Sequence, residues 1–153
     1  MSVDLIKELE RARLQYELIP HRRTATAVEE AAAVGAPPED VAKTIVLTDG
    51  DAYVRAVLPA SARLDLHKVR ELLGRKRLRL ATEAELALAY PMFELGAVPP
   101  VGGPGGDRVV VDRRVAATED VLIEPGSHSE SVRLGTSGLL MLANAQVAAI
   151  CRS

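Results

Sequence analysis

The chain has 153 residues, 48% of them hydrophobic and 26% charged, with a formal net charge of −2. That length suits one domain with its own core, and the balance suits an ordinary soluble globular protein. It excludes a global basic field of the kind that binds nucleic acid non-specifically, and no apolar stretch is long enough to span a bilayer.

The first segment places Val3, Ile6, Leu9 and Ala12 on one helical face, with Lys7, Glu8, Arg11 and Arg13 elsewhere. Charge runs through this N-terminus and interrupts any signal-peptide core, so the expected location is the cytoplasm. Tyr16 to Ile19 reads as a short strand leading to His21. Thr26 with Glu29 has the form of a capping box opening an Ala-rich helix that stops at Gly35. Pro37-Pro38-Glu39-Asp40 begins a short helical turn. Lys43–Thr48 and Ala52–Leu58 are both β-rich, and Asp49-Gly50-Asp51 between them signals a hairpin.

Asp65 is expected to cap a helix over Leu66–Leu73 that ends at Gly74. A basic strand over Arg75–Leu80 follows, and then a second capping-box pattern, Thr82 with Glu85, before a short helix. Pro91 to Gly106 is rich in proline and glycine and reads as loop and turn. Strands are expected near Arg108–Asp112, Asp120–Glu124 and Ser131–Leu134, and a terminal helix with a long apolar face over Ser137–Ile150. Helices and strands mix without strict βαβ alternation, so the fold class is α+β with a mixed sheet.

Lys43 opens a strongly apolar strand. It reads either as a strand-end surface charge or as a fixed cation able to hold a carbonyl or phosphate oxygen. The run Gly96-Ala97-Val98-Pro99-Pro100-Val101-Gly102 reads either as a stiff connector or as a rigid loop whose small residues admit a substrate and whose amides face an oxyanion. Gly102 to Gly106 is no phosphate loop, because neither Lys-Ser/Thr nor a helix follows.

His21 and His128 are candidate ligands or acid–base groups, whereas His67 sits among charges in an expected helix. The histidines lack metal-ligand spacing, and Gly126-Ser127-His128-Ser129 lacks the strand–turn–helix setting of a serine nucleophile. Cys151 reads as a packed thiol. Basic residues cluster at Arg70, Arg75, Lys76, Arg77 and Arg79, and at Arg11, Arg13, Arg22 and Arg23. With one Phe, three Tyr and no Trp there is little to stack on bases, so any RNA contact must run through local phosphate patches.

Taken in order, Tyr16–His21, Thr26–Gly35, Val41–Leu47, Leu64–Lys68, Leu80–Thr82, Gly96–Gly102 and Ile123–His128 resemble the YbaK/prolyl-tRNA-synthetase-associated editing domain family, as a stand-alone member. The chain departs from many relatives at Ala89–Glu94, where they carry Thr-Gly, and at Val101, where others carry Phe.

The resemblance implies a mixed, largely antiparallel sheet flanked by helices, in one editing domain over 1–153. It implies hydrolysis of the ester of a mischarged aminoacyl-tRNA bearing a small amino acid, with Ala- or Cys-tRNA(Pro) as family substrates. It carries the essential lysine onto Lys43 and the oxyanion-binding glycine-rich loop onto Gly96 to Gly102, with Lys43, Gly96 and Ala97 as the catalytic positions. Substrate contacts fall on His21, Thr44, Pro99, Pro100, Gly102, Gly126 and His128. Family members use no metal, cofactor or protein nucleophile; a water attacks the ester, helped by the terminal ribose hydroxyl. Aminoacyl-tRNA is the implied partner, with an aminoacyl-tRNA synthetase as a further one. A binding module of the same fold that lacks catalysis, and a hydrolase of another small ester, are the alternatives.

Overall fold

A computed structural model describes residues 3–101 and 106–153. Gly102, and with it most of the Gly102–Gly106 turn, lies outside the described residues.

The chain begins with helix α1 (Val3–Arg11), strand β1 (Tyr16–Pro20) and helix α2 (Ala27–Val34). Helix α1 buries Leu5 and Leu9 completely and Ile6 in part, a face turned slightly from the expected one. Thr26 caps α2 by accepting the Glu29 amide, and Gly35 ends it at φ 72°. Only half of the expected box forms there, because the Glu29 carboxylate takes the Ala25 amide. A 3₁₀ turn at Pro38–Asp40 leads into the hairpin of β2 (Ala42–Thr48) and β3 (Tyr53–Pro59).

Helix α3 (Leu66–Leu73) runs between its Asp65 cap and Gly74, as its sequence signals predict. The basic strand shrinks to β4 (Arg79–Leu80), because Arg75 to Leu78 forms a turn whose Arg75 is held by Asp49. Helix α4 (Glu83–Ala89) carries the complete Thr82/Glu85 capping box. Strand β5 (Arg108–Asp112) is followed by the short helix α5 (Arg113–Ala116), which the sequence pattern did not reveal, and then by β6 (Asp120–Ile123) and β7 (Glu130–Gly135).

The expected terminal helix is corrected. Helix α6 spans only Thr136–Ala143 and stops at Asn144, which adopts the left-handed conformation at φ 49°. The chain then forms β8 (Gln146–Ala148), paired in parallel with β5. Asn tolerates that conformation better than most residues, and the buried backbone of β5 needs a partner on its open side.

The strands form two sheets, β1-β7-β6 and β4-β2-β3-β5-β8, tied by a parallel bridge between Val41 and Leu122. The first sheet is antiparallel, and the second is antiparallel from β4 to β3 and parallel from β3 to β8. This is an α+β fold with a mixed, mostly antiparallel arrangement. The larger sheet is buried on both faces. Val57 and Val111 join Leu5, Leu9, Ile123 and Leu139 on one side. Ala56 and Val110 join Val69 and Leu78 under α3 on the other. Double burial explains why β3 and β5 read as nearly continuous apolar runs. Among the described residues, no helix is long and apolar enough to cross a membrane.

Candidate active site

Strand β2 distributes its residues by strict alternation. Ala42 and Val46 turn to the inner face, where Val46 packs with Tyr90, Phe93 and Val98. Ile45 and Leu47 turn to the opposite face. Lys43 shares that second face, opposite Leu58 in the hairpin register. Its Nζ donates to the Ala60 carbonyl at 3.2 Å. Burial is the main cause lowering its pKa, and Arg63 adds to the effect while Cys151 opposes it. Thr44 and the loop at Gly96 therefore meet on one side of β2, and Lys43 stands on the other.

Thr44, Ile45, Val46, Leu80, Ala81, Leu86, Gly96 and Val98 line a notch of about 240 Å³ at the edge of β2. Its floor is an unfinished sheet edge. The Val46 carbonyl accepts the Ala81 amide at 3.0 Å, and β4 pairs only with Leu47 and Thr48. The bridge to Leu122 engages Val41, the residue before β2. Backbone groups of alternate residues point the same way, so the N–H and C=O of Thr44 face outward in the gap between these two covers.

Gly96 occupies a tight turn at φ 81°, with the Ala97 amide closing onto the Glu94 carbonyl at 3.0 Å. The Ala97 amide is thus committed within the loop, and the Gly96 amide has no partner among the described residues. Pro99 and Pro100 are buried. The Pro99 carbonyl accepts Nη1 of the buried Arg55 at 2.8 Å, while Arg55 Nε donates to Asp107 at 3.1 Å. The same guanidinium lies 5.1 Å from the Tyr90 ring centroid, and the Tyr90 hydroxyl donates to Asp107. The departure at Ala89–Glu94 therefore supplies the aromatic wall that holds the loop. Arg55, Tyr90 and Asp107 escaped the sequence reading; the available signal was an arginine inside the apolar run Tyr53–Leu58.

The other side of the Gly96 turn meets the β6–β7 connection. The Gly126 carbonyl accepts the Glu94 amide at 2.9 Å. His128 places Nδ1 2.9 Å from Glu124 Oε2 and Nε2 2.5 Å from the Leu95 carbonyl. With an acceptor at each nitrogen, the imidazolium satisfies both contacts with Glu124 ionised. Burial opposes that charge, but the Leu95 carbonyl and Glu124 outweigh it and raise the His128 pKa. Burial likewise raises the Glu124 pKa, against the pull of His128. A cleft of about 670 Å³ lies here, lined by Arg23, Thr24, Glu29, Glu94, Leu95 and His128.

Beneath it, Glu30 is fully buried, with Oε2 2.5 Å from Ser131 Oγ and Oε1 without a hydrogen-bond partner. Burial pushes its pKa up to about 7, against the pull of the Ser131 hydrogen bond. Ser131 Oγ also lies 2.9 Å from His21 Nε2, and His21 Nδ1 lies 2.6 Å from the Arg22 carbonyl. The serine has one hydrogen to give, and its hydroxyl donates to Glu30. His21, Gly126 and His128 thus gather on one side of the loop, Thr44 on the other, and Lys43 joins neither group. Cys151 is packed, with burial pushing its thiol pKa up to about 11. Among the described residues, no three His, Cys, Asp or Glu side chains gather into a metal-binding group.

Residues 21–142 match the family described as the aminoacyl-tRNA editing domain. The chain is similar to a solved structure of a candidate trans-editing enzyme for prolyl-tRNA synthetase, with 30% identity and TM-score 0.85 over 97% of this chain and 95% of that one. A crystal structure of a protein described only as hypothetical is 25% identical, with TM-score 0.88 over 97% and 99% of the two chains. A candidate signal-transduction protein from Marinobacter aquaeolei shares the fold at 20% identity and TM-score 0.74, covering 100% of this chain and 31% of its own. No curated protein matches the chain.

Proposed function

The chain belongs to the aminoacyl-tRNA editing domain family, and we propose from this that the whole of it acts as one unit hydrolysing the ester of a tRNA mischarged with a small amino acid. The observation that carries the reading is the notch at Thr44. At about 240 Å³, and walled by Val46, Leu80, Ala81, Leu86 and Val98, it offers a short aliphatic or thiol side chain an apolar lining. The α-ammonium and carbonyl common to every aminoacyl ester find the Thr44 C=O and N–H at its floor. The Gly96 amide stands ready for the oxyanion, where one donor is worth roughly 3 kcal/mol. An ester is already activated, so water assisted by the terminal ribose hydroxyl suffices as nucleophile. Lys43, across the strand, supplies a cation for the terminal phosphate.

One observation favours the second reading, a module that binds aminoacyl-tRNA without cleaving it. The Ala97 amide is spent on Glu94 and Lys43 faces away from the notch, which leaves fewer groups for chemistry. Deacylation of Ala-, Cys-, Ser- and Phe-charged tRNA, with Lys43→Ala alongside, separates the two. Turnover of small esters that collapses in Lys43→Ala supports the enzyme. Tight binding of small aminoacyl-tRNAs without turnover supports the module. Equal turnover of alanyl and phenylalanyl esters removes the notch from the argument.

A further inference from the structure

Arg75 and Arg79 dominate the basic cluster most visible in the sequence, yet both are neutralised, by Asp49 at 2.5 Å and Glu85 at 2.8 Å. Lys76 and Arg77 stay exposed there, and a second group of cations gathers around the bridge between Leu64 and Cys151. Leu64 and Cys151 form an antiparallel bridge with both side chains turned into a small core with Leu58 and Ala62. The next pair along, joined by the Arg152 amide donating to the Arg63 carbonyl at 2.8 Å, sets two exposed arginines opposite each other on the outer side. Like charges at directly opposed positions destabilise a strand pair. Among the described residues, neither arginine takes part in an ion pair.

Lys68 adds a third cation, its Nζ donating to the Cys151 carbonyl at 2.8 Å, and Lys43 a fourth, close enough to Arg63 for repulsion to help lower its pKa. The neighbouring acids are occupied. Asp65 accepts the Lys68 amide, Asp112 the amides of Ile150 and Arg114, and Glu39 is held by Ser61 and Arg114.

We propose that Arg63, Arg152, Lys68 and Lys43 form the docking surface for the sugar–phosphate backbone of the tRNA acceptor end. A polyanion relieves the repulsion that the fold builds into this ladder, and arginine suits phosphate geometry. The placement fits the notch. Lys43 and Thr44 are consecutive on β2 and face opposite ways, so RNA seated on the arginine face delivers its aminoacyl end over the strand edge. This inference rests on the editing reading, and it adds where the RNA lies.

The test is fluorescence anisotropy of labelled, uncharged tRNA at rising KCl, with Arg63→Glu, Arg152→Glu and the double variant against Arg77→Glu, an exposed arginine outside the patch. Alanyl-adenosine hydrolysis by the same proteins reports the chemistry without the RNA, and circular dichroism reports folding. The expected result is a Kd raised at least tenfold in the double variant, a shallower salt slope by about two phosphate contacts, and unchanged alanyl-adenosine turnover. A double variant that binds as wild type, or a loss matched by Arg77→Glu, overturns the surface while leaving the editing reading intact. A wild-type protein that binds no tRNA, or that binds anionic lipid vesicles instead, overturns both.

Discussion

Replacing Glu30 with glutamine should change how stability depends on pH. The wild-type carboxyl is fully buried with a pKa pushed up to about 7, against 4.5 for the free group. A raised carboxyl pKa means that the folded state holds the proton more tightly. Its contribution is therefore fully present below pH 4.5 and is lost as pH rises through about 7. At 1.36 kcal/mol per pH unit, the interval corresponds to about 3 kcal/mol. Glutamine does not titrate. Its carbonyl can keep the Ser131 hydrogen bond, but its amide then occupies the site of the partnerless Oε1 at a cost of roughly 1–2 kcal/mol.

The stability curves of Glu30→Gln and wild type should therefore cross, the variant being less stable near pH 5 and more stable near pH 8. Urea denaturation of both proteins across that range measures the difference directly, and other titrating groups largely cancel in it. In melting temperature the swing amounts to roughly 6–12 °C for a chain of this size. A stability difference between the two proteins that stays constant within about 1 kcal/mol from pH 5 to pH 8 refutes the reasoning.

Gly96→Ala forces a side chain into φ 81° with its Cβ 3.5 Å from His128 Cε1, so thermal stability should fall by about 1–2 kcal/mol and deacylation more steeply; unchanged turnover would separate this turn from the chemistry. His128→Gln removes the imidazolium that grips Leu95 and Glu124. Because the His128 pKa is raised above 6.5, the grip and the stability it brings are present below that value and fade as pH rises through the folded pKa. The wild-type rate profile should show this fade and the variant profile should lack it. Arg55→Met leaves the Asp107 carboxylate with the Tyr90 hydroxyl but without its cation, and removes the donor to the Pro99 carbonyl, and should lower the unfolding free energy by about 3–5 kcal/mol; a loss below 1 kcal/mol in urea titration would show that the loop is held without it.

What the sequence revealed depended on how local its signals are. Asp65 and Gly74 bound α3, and Thr82 with Glu85 opens α4, because caps act within one turn. The end of α6 was hidden: Gly138 to Ile150 is apolar enough for a helix, and only the unpaired side of β5, distant in sequence, draws Gln146–Ala148 into a strand. The site divides in the same way. Lys43, Thr44 and the Gly96 loop were legible as a strand start and a small-residue run. That Lys43 and Thr44 face opposite sides follows from alternation, but which side meets Gly96 required the packing of Val46 against Val98. Arg55 with Asp107, Glu30 with Ser131 and His128 with Leu95 join residues 33 to 101 positions apart, beyond the reach of any local pattern.

The two-residue length of β4 has a consequence for how this site can diverge. In the proposed function, a grip made by the main chain would survive every replacement at position 44 except proline, whereas the walls at Leu80, Ala81 and Leu86 would change with their side chains. Affinity for what all aminoacyl esters share would thereby be insulated from the choice among them. A new preference can arise by repainting three walls, and a lengthened β4 would silence the site without touching a single one of its side chains.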